Sequence, residues 1–354
     1  MKSIVFTGGG SAGHVTPNLA LIARLKEQGW SVDYIGSADG IEKSIIEETG
    51  IRFHPISSGK LRRYFDLKNI KDPFKVLKGV ADAYRVIRKL KPNAVFSKGG
   101  FVSVPVVVAG WMNRVPVIIH ESDMTPGLAN KLSVPFAARV CVTFPETARH
   151  LRGGKAEYTG LPIRDEMLRG NPAKGRDICN FHKQKPVLFV MGGSLGSRVI
   201  NEAVRGGLER LLERFQVVHL CGKGNLDPAL TRVRGYRQFE YVSGELPDLL
   251  AMADVVVSRS GSTSIFEFLS LKKPMLLVPL TRNASRGDQI LNAESFRAQG
   301  YSEVMEEESM NAETLAEALF QLYADRDVYV ERMSRHSNQD SIASIIRLIE
   351  ATAR

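Results

Sequence analysis

The stretch ADVVVSRSGSTSIFEFLSLKKPMLLVPL, Ala253 to Leu280, decides the fold. It predicts a strand over Val255–Ser258, a tight loop over Arg259–Ser262, a helix over Thr263–Leu271 and a second strand over Met275–Pro279. Both strands are short, unbroken apolar runs, as parallel strands buried on two faces require. The loop gathers Ser258, Ser260, Gly261, Ser262, Thr263 and Ser264, and Glu267 follows on the second helical turn. A glycine lets backbone approach a ligand, and free N–H groups at a helix start favour negative charge. A carboxylate in such a site would repel a phosphate, so it needs another task. Accepting two hydrogen bonds from a vicinal diol, as on a ribose, is one. The alternative is a surface glutamate placed well for the helix dipole.

Outward from that stretch the same scheme repeats. Lys2–Thr7 is a first strand, Gly8-Gly9-Gly10-Ser11-Ala12-Gly13-His14 its loop, and Thr16–Gln28 the helix, with Pro17 at its start and Gly29 at its end. A second unit runs Val32–Ile35 and Gly40–Thr49, and Ala94–Ser97 leads into Lys98-Gly99-Gly100 and later to the strand Val117–His120. After a Gly- and Pro-bearing hinge at Tyr158–Arg164, Val187–Met191 opens the second half with the loop Gly192-Gly193-Ser194-Leu195-Gly196 and a helix over Ser197–Glu213. VFTGGGSAGH and FVMGGSLGS correspond, and so do Ser97-Lys98-Gly99-Gly100 and Ser258-Arg259-Ser260-Gly261. Two α/β halves imply two Rossmann-like domains with parallel sheets, and ligands in such sheets bind beyond the carboxyl ends of the strands. The cleft between the halves is the expected site.

The net charge of +10 is concentrated. Between Gly59 and Lys91 eleven Lys or Arg face three Asp, a basic segment suited to an anionic partner. A helix beginning at Asp72-Pro73 is expected to bury Phe74, Leu77, Ala81, Tyr84 and Ile87 and to expose Lys75, Lys78 and Arg85. Phe65, Ile70, Phe74 and Trp111 among these cations tilt the reading toward membrane contact. Cys141, Cys179 and Cys221 form no CxxC pair and predict buried thiols of a reducing compartment. No signal peptide and no 18-residue apolar run is present, so a cytoplasmic protein without a transmembrane span is expected. The one Asp-x-Asp, Asp325-Arg326-Asp327, lies far from any glycine loop, so neither a metal nor another cofactor is expected. His14 suits proton transfer or, on the plainer view, caps a helix; His120-Glu121 reads as a structural pair.

GGGSAGH, SKGGFVSVP, MGGSLGS, HE…PGLANK, TGLPIR, SRSGSTSIFE and DQILNAE together resemble the MurG family, the bacterial UDP-N-acetylglucosamine:lipid I N-acetylglucosaminyltransferases of peptidoglycan synthesis, over nearly the whole chain. The resemblance implies a GT-B fold. An acceptor- and membrane-facing domain would span 1–163, with the last helix, about 337–354, packing back on it, and a UDP-GlcNAc-binding domain would span 164–336. It implies Glu267 on the ribose, Ser262, Thr263, Ser264, Ile265 and Phe266 along the nucleotide and phosphates, and Arg164 and Ser194 at the diphosphate. It further implies Ser243 near the uracil, Gln289 at the donor sugar, Ser11, Ala12 and Gly13 reaching the donor, and His14 as general base.

Two departures sit near the sugar: His120-Glu121-Ser122-Asp123 stands where the family commonly has His-Glu-Gln-Asn, and NASRGD precedes Gln289 without the frequent His and Gln. Some bacteria carry a second protein of this kind, and the departures fit such a copy. The implied reaction is an inverting, metal-independent transfer onto the 4-hydroxyl of the N-acetylmuramoyl group of polyprenyl-diphosphate-linked lipid I, at the cytoplasmic face of the membrane. The rivals are a diacylglycerol glycosyltransferase and a UDP-GlcNAc 2-epimerase. The donor constellation argues against a nucleic-acid binder.

Overall fold

The computed structural model describes residues 2–59, 72–151, 153–193, 196–283, 285–336 and 340–354, and only the backbone of Ala12, Asp72 and Pro73. The chain forms two compact units, residues 1–164 with 339–354, and residues 165–338.

The first unit holds seven strands: β1 (Ser3–Thr7), β2 (Ser31–Ser37), β3 (Arg52–Ile56), β4 (Ala94–Ser97), β5 (Val117–Glu121), β6 (Arg139–Val142) and β7 (Ala156–Tyr158). They lie in the order β3-β2-β1-β4-β5-β6-β7, and every pairing is parallel. The unbroken apolar runs are explained by burial on both faces. Ile4, Phe6, Phe96 and Ile118 pack into one core and Val5, Val95, Ile119 and Val140 into the other. The final helix, Ser341–Thr352, completes the first of these cores with Ile342, Ile345, Ile346, Leu348 and Ile349.

The second unit repeats the plan with β8 (Val187–Met191), β9 (Gln216–Leu220), β10 (Tyr236–Phe239), β11 (Val255–Ser258), β12 (Met275–Leu277) and β13 (Ser302–Val304), in the order β10-β9-β8-β11-β12-β13, again all parallel. In both sheets the chain order reverses between the first and fourth strands. That reversal opens a crevice at the carboxyl ends of β1 and β4 in one unit and of β8 and β11 in the other. The four loops paired by the internal repeat are the loops at these two crevices.

The structure corrects two expectations. The Asp72–Leu90 helix does not bury Phe74, Leu77 and Ala81; Phe74 is 73% and Leu77 67% exposed, and Ala81 is exposed. Ile87 is buried as expected and Tyr84 half-buried, but the rest of the buried face is Gly79 and Ala83. The small residues set the face: a Cβ at Gly79 would stand 2.1 Å from the Ser57 carbonyl and 3.3 Å from Pro105, so only glycine permits this approach. The expected Ser197–Glu213 helix is two helices, Arg198–Gly206 and Leu208–Arg214, separated at Gly207. Among the described residues, α-helices follow the Asp288–Ala298 helix at Ala312–Ala324, Arg326–Arg335 and Ser341–Thr352. No helix among the described residues is long and apolar enough to cross a membrane.

Candidate functional site

In the first unit the crevice is walled by two glycine loops that touch. Gly9 N–H donates to the Gly99 carbonyl at 3.3 Å, and Lys98 N–H donates to Thr7 O at 2.9 Å. A Cβ on Gly100, whose φ is +85°, would lie 2.2 Å from the Gly9 carbonyl, so the approach admits no side chain. Buried Glu42 shapes the first loop from behind, accepting from Gly10 N at 3.1 Å, Ser37 N at 3.0 Å and Ser37 Oγ at 2.6 Å. Tyr34 Oη donates to Gly8 O at 2.7 Å. A short 3-10 turn, Ala12–His14, then leads into the Thr16–Glu27 helix, whose cap is Val15.

His14 is therefore not the cap of that helix. Its Nδ1 lies 3.1 Å from the Gly9 carbonyl and 3.0 Å from Ser11 Oγ. A carbonyl can only accept, so Nδ1 carries the proton and the basic lone pair is on Nε2. Ser11 is exposed and Gly13 half-buried in the same turn.

The end of β5 supplies the third wall. Glu121 is buried, and its carboxylate accepts from Asp123 N at 2.9 Å, Gly127 N at 3.0 Å and Asn130 Nδ2 at 2.8 Å. Burial foremost, with the neighbouring Asp123, raises its pKa. It folds the Ser122–Gly127 turn back on the strand, a structural task. Beneath lies Lys98, 1% exposed, with Nζ 2.6 Å from His120 Nδ1 and bonded to Ser122 Oγ. His120 Nε2–H donates to Gly160 O at 2.9 Å, so its Nδ1 is an acceptor. Burial and the Lys98 charge hold that imidazole well below its usual pKa, in the neutral form.

In the second unit the Ser262–Ser270 helix begins after Gly261, which offers it no side-chain cap, and its first turn presents the positive end of the helix dipole. Thr263, Ser264 and Glu267 are half-buried along this helix, whereas Ser262 is buried. Ile265 and Phe266 are buried too, the Phe266 ring edge-on to Phe296 with centroids 5.1 Å apart. Their side chains belong to the core, so these two positions reach a ligand only through backbone. The loop is braced by Ser260 Oγ donating to Gln289 O at 2.8 Å and by Asn292 Nδ2 donating to Ser260 O at 3.2 Å. Gln289 Oε1 accepts from Leu280 N at 3.2 Å, which fixes the side chain with its Nε2 end as the donor. Ser243 is exposed in the turn before Leu246, and Arg164 is half-buried at the end of the first unit. Ser194 lies outside the described residues, as does residue 60–71 of the basic segment.

Sequence reasoning missed Arg259. It is 8% exposed, and its guanidinium donates to Val278 O at 3.1 Å, Pro279 O at 3.3 Å and Ser197 Oγ at 2.8 Å, with Glu307 at 2.7 Å. It ties three loops of the second crevice together. The signal was present: Lys98 and Arg259 hold the same place in the repeat. Asp325 and Asp327 are engaged with Gln321 at 2.6 Å and Arg326 at 3.7 Å, at a helix junction. No group of three or more His, Cys, Asp or Glu among the described residues is placed to hold a metal ion.

Comparison with known proteins matches residues 4–142 to the glycosyltransferase family 28 N-terminal domain and residues 187–349 to the glycosyltransferase family 28 C-terminal domain. A relative from Bacillus cereus (strain ATCC 14579) is 60% identical over 349 residues, 99% of each chain. It is named UDP-N-acetylglucosamine–N-acetylmuramyl-(pentapeptide) pyrophosphoryl-undecaprenol N-acetylglucosamine transferase 2. A Clostridium botulinum (strain Langeland) transferase of the same name, without the number, is 56% identical over 99% of each chain. Among solved structures, Acinetobacter baumannii MurG shares the fold with a TM-score of 0.77 at 23% identity, covering 99% of this chain and 100% of that one.

Proposed function

The chain belongs to glycosyltransferase family 28, and from that premise we propose that it transfers N-acetylglucosamine from UDP-N-acetylglucosamine to the N-acetylmuramyl-(pentapeptide) group carried on pyrophosphoryl-undecaprenol. The observation that carries this reading is 60% identity, over 99% of both chains, to a transferase named for that reaction. The product is lipid II, the disaccharide precursor of peptidoglycan.

The chemistry divides between the units. In the second, the positive dipole end at the start of the Ser262–Ser270 helix suits the donor's diphosphate, and Glu267, one turn on, suits the ribose diol. Ser194 and Arg164, the latter from the end of the first unit, serve the diphosphate, Ser243 the uracil and the Gln289 amide the sugar. In the first unit Ser11, Ala12 and Gly13 meet the donor, and Asp123 borders its sugar. His14, with Nδ1–H held by Gly9 O, presents Nε2 as the base. It takes the proton from the 4-hydroxyl of the acceptor as that oxygen attacks the anomeric carbon. UDP departs from the opposite face, its growing charge held by loop amides and Arg164, and the configuration inverts.

The acceptor's lipid anchors it in a bilayer, and the first unit has a face suited to meet one. Phe74 and Leu77 are exposed on the Asp72–Leu90 helix together with Lys75, Lys78, Arg85 and Arg88, and Trp111 is exposed on the Ser103–Met112 helix. Exposed aromatic and aliphatic groups among cations suit the headgroup region of an anionic membrane. The protein acts as a peripheral enzyme at the cytoplasmic surface.

Incubation of labelled UDP-N-acetylglucosamine with lipid I in detergent tests the reading; a labelled disaccharide lipid is expected. Label in diacylglycerol, or UDP-N-acetylmannosamine formed without any lipid, would replace it with one of the rival reactions.

A further inference from the structure

Lys98 and Arg259 stand at matching points of the repeat, each following a serine that ends the fourth strand of its sheet. Each crosses to the end of the next strand, Lys98 to His120 and Ser122 beyond β5, Arg259 to Val278 and Pro279 beyond β12. Their partners differ. Arg259 is matched by the Glu307 carboxylate at 2.7 Å. Among the described residues the Lys98 ammonium is bonded to a neutral imidazole and a hydroxyl, and the two carboxylates that act on it, Glu121 and Asp123, do so through space.

We propose that Lys98 is a positioning residue of the transfer reaction: its buried ammonium, tied to Ser122 and facing Glu121 and Asp123, holds the Asp123 segment in register with the Gly99-Gly100 turn. This rests on the reading above that places Asp123 at the donor sugar. Glu121 and Asp123 are like charges two residues apart, and Glu121 is buried. Without a cation between the strand ends they repel, and the turn carrying Asp123 shifts. Every group facing the ammonium is then accounted for. His120 is neutral, and the Cys141 thiol on β6 is pushed up to about 12 by burial and carries no charge. Burial lowers the Lys98 pKa and the two carboxylates offset part of that shift, leaving it pushed down to about 7. The ammonium is present below that pH and is lost as the pH rises through it.

The test is a double-mutant cycle on the full chain, with labelled UDP-N-acetylglucosamine and lipid I: wild type, Lys98→Met, Asp123→Asn and the pair. Lys98→Met is expected to lower kcat about tenfold or more. Adding Asp123→Asn, which removes the unbalanced charge, should bring the rate back to within about threefold of Asp123→Asn alone. If the two losses multiply, or if Lys98→Met turns over like wild type, the proposal is overturned.

Should Lys98→Met not fold, the pH profile of Asp123→Asn decides. Loss of a carboxylate lowers the pKa of the facing ammonium, so the alkaline limb of kcat should move to lower pH; an unmoved limb overturns the proposal. Asp123→Asn that rescues Lys98→Met but leaves the KM for UDP-N-acetylglucosamine and the preference over UDP-N-acetylgalactosamine unchanged removes Asp123 from the sugar while the tie to Lys98 stands.

Discussion

Two crevices built on one plan carry two kinds of cation. In the second unit Arg259 sits in a complete shell of two carbonyls, a hydroxyl and a carboxylate, and the loops it joins are locked around the helix that suits a nucleotide diphosphate. In the first unit Lys98 has neutral hydrogen-bond partners and a pKa pushed down to about 7 by burial. An arginine keeps its charge in any protein environment, whereas a buried lysine titrates readily. On the function proposed above, the duplicated architecture would set a rigid site for the donor apart from a more responsive one for the acceptor and the proton.

The division predicts that chemistry and binding fail separately, and the largest effect should come from the first unit. His14→Asn is expected to reduce turnover about 10² to 10⁴-fold with UDP affinity retained. The acidic limb of the wild-type profile, where the imidazole protonates, should vanish from the residual activity. Near-normal turnover with that limb intact would pass the role of base to another group.

The next effect belongs to the second unit and is structural. Arg259→Leu breaks the buried pair with Glu307 and strands several acceptors, so it should destabilise the protein by about 3 kcal/mol, read in urea unfolding. Lys98→Met breaks no direct ion pair among the described residues and should cost less; equal losses would erase the contrast between the two cations.

Glu267→Ala should weaken UDP binding by about tenfold in calorimetry without lowering the melting temperature. Unchanged affinity would remove Glu267 from the ribose. Smallest is a single charge on the exposed face of the first unit: Lys78→Gln should weaken binding to phosphatidylserine-containing vesicles about fivefold at low salt, and leave UDP affinity alone. Vesicle binding that ignores both the substitution and the salt concentration would sink the electrostatic part of the membrane reading.

The sequence by itself determined the two-fold repeat of parallel α/β units. Strands buried on both faces must be unbroken apolar runs, and the loops that reach a ligand need glycine at fixed offsets. It also marked the loops at Gly8–His14, Lys98–Gly100 and Arg259–Gly261, because glycine, serine and charge gathered at a strand end are visible without coordinates. The edge strands β3, β7 and β13 escaped it. Arg52–Ile56 carries Pro55, and the other two are three residues long with an exposed centre, so periodicity had little to register.

Only the tertiary structure decided the rest. Which face of the Asp72–Leu90 helix is buried follows from how closely Gly79 approaches Ser57, a contact between distant residues that outweighs the size of Phe74 and Leu77. The buried positions of Lys98 and Arg259 follow likewise from partners far along the chain, Ser122 for one and Glu307 for the other. A charge beside a glycine reads as surface in one dimension; the fold supplies the acceptors that let it go inside.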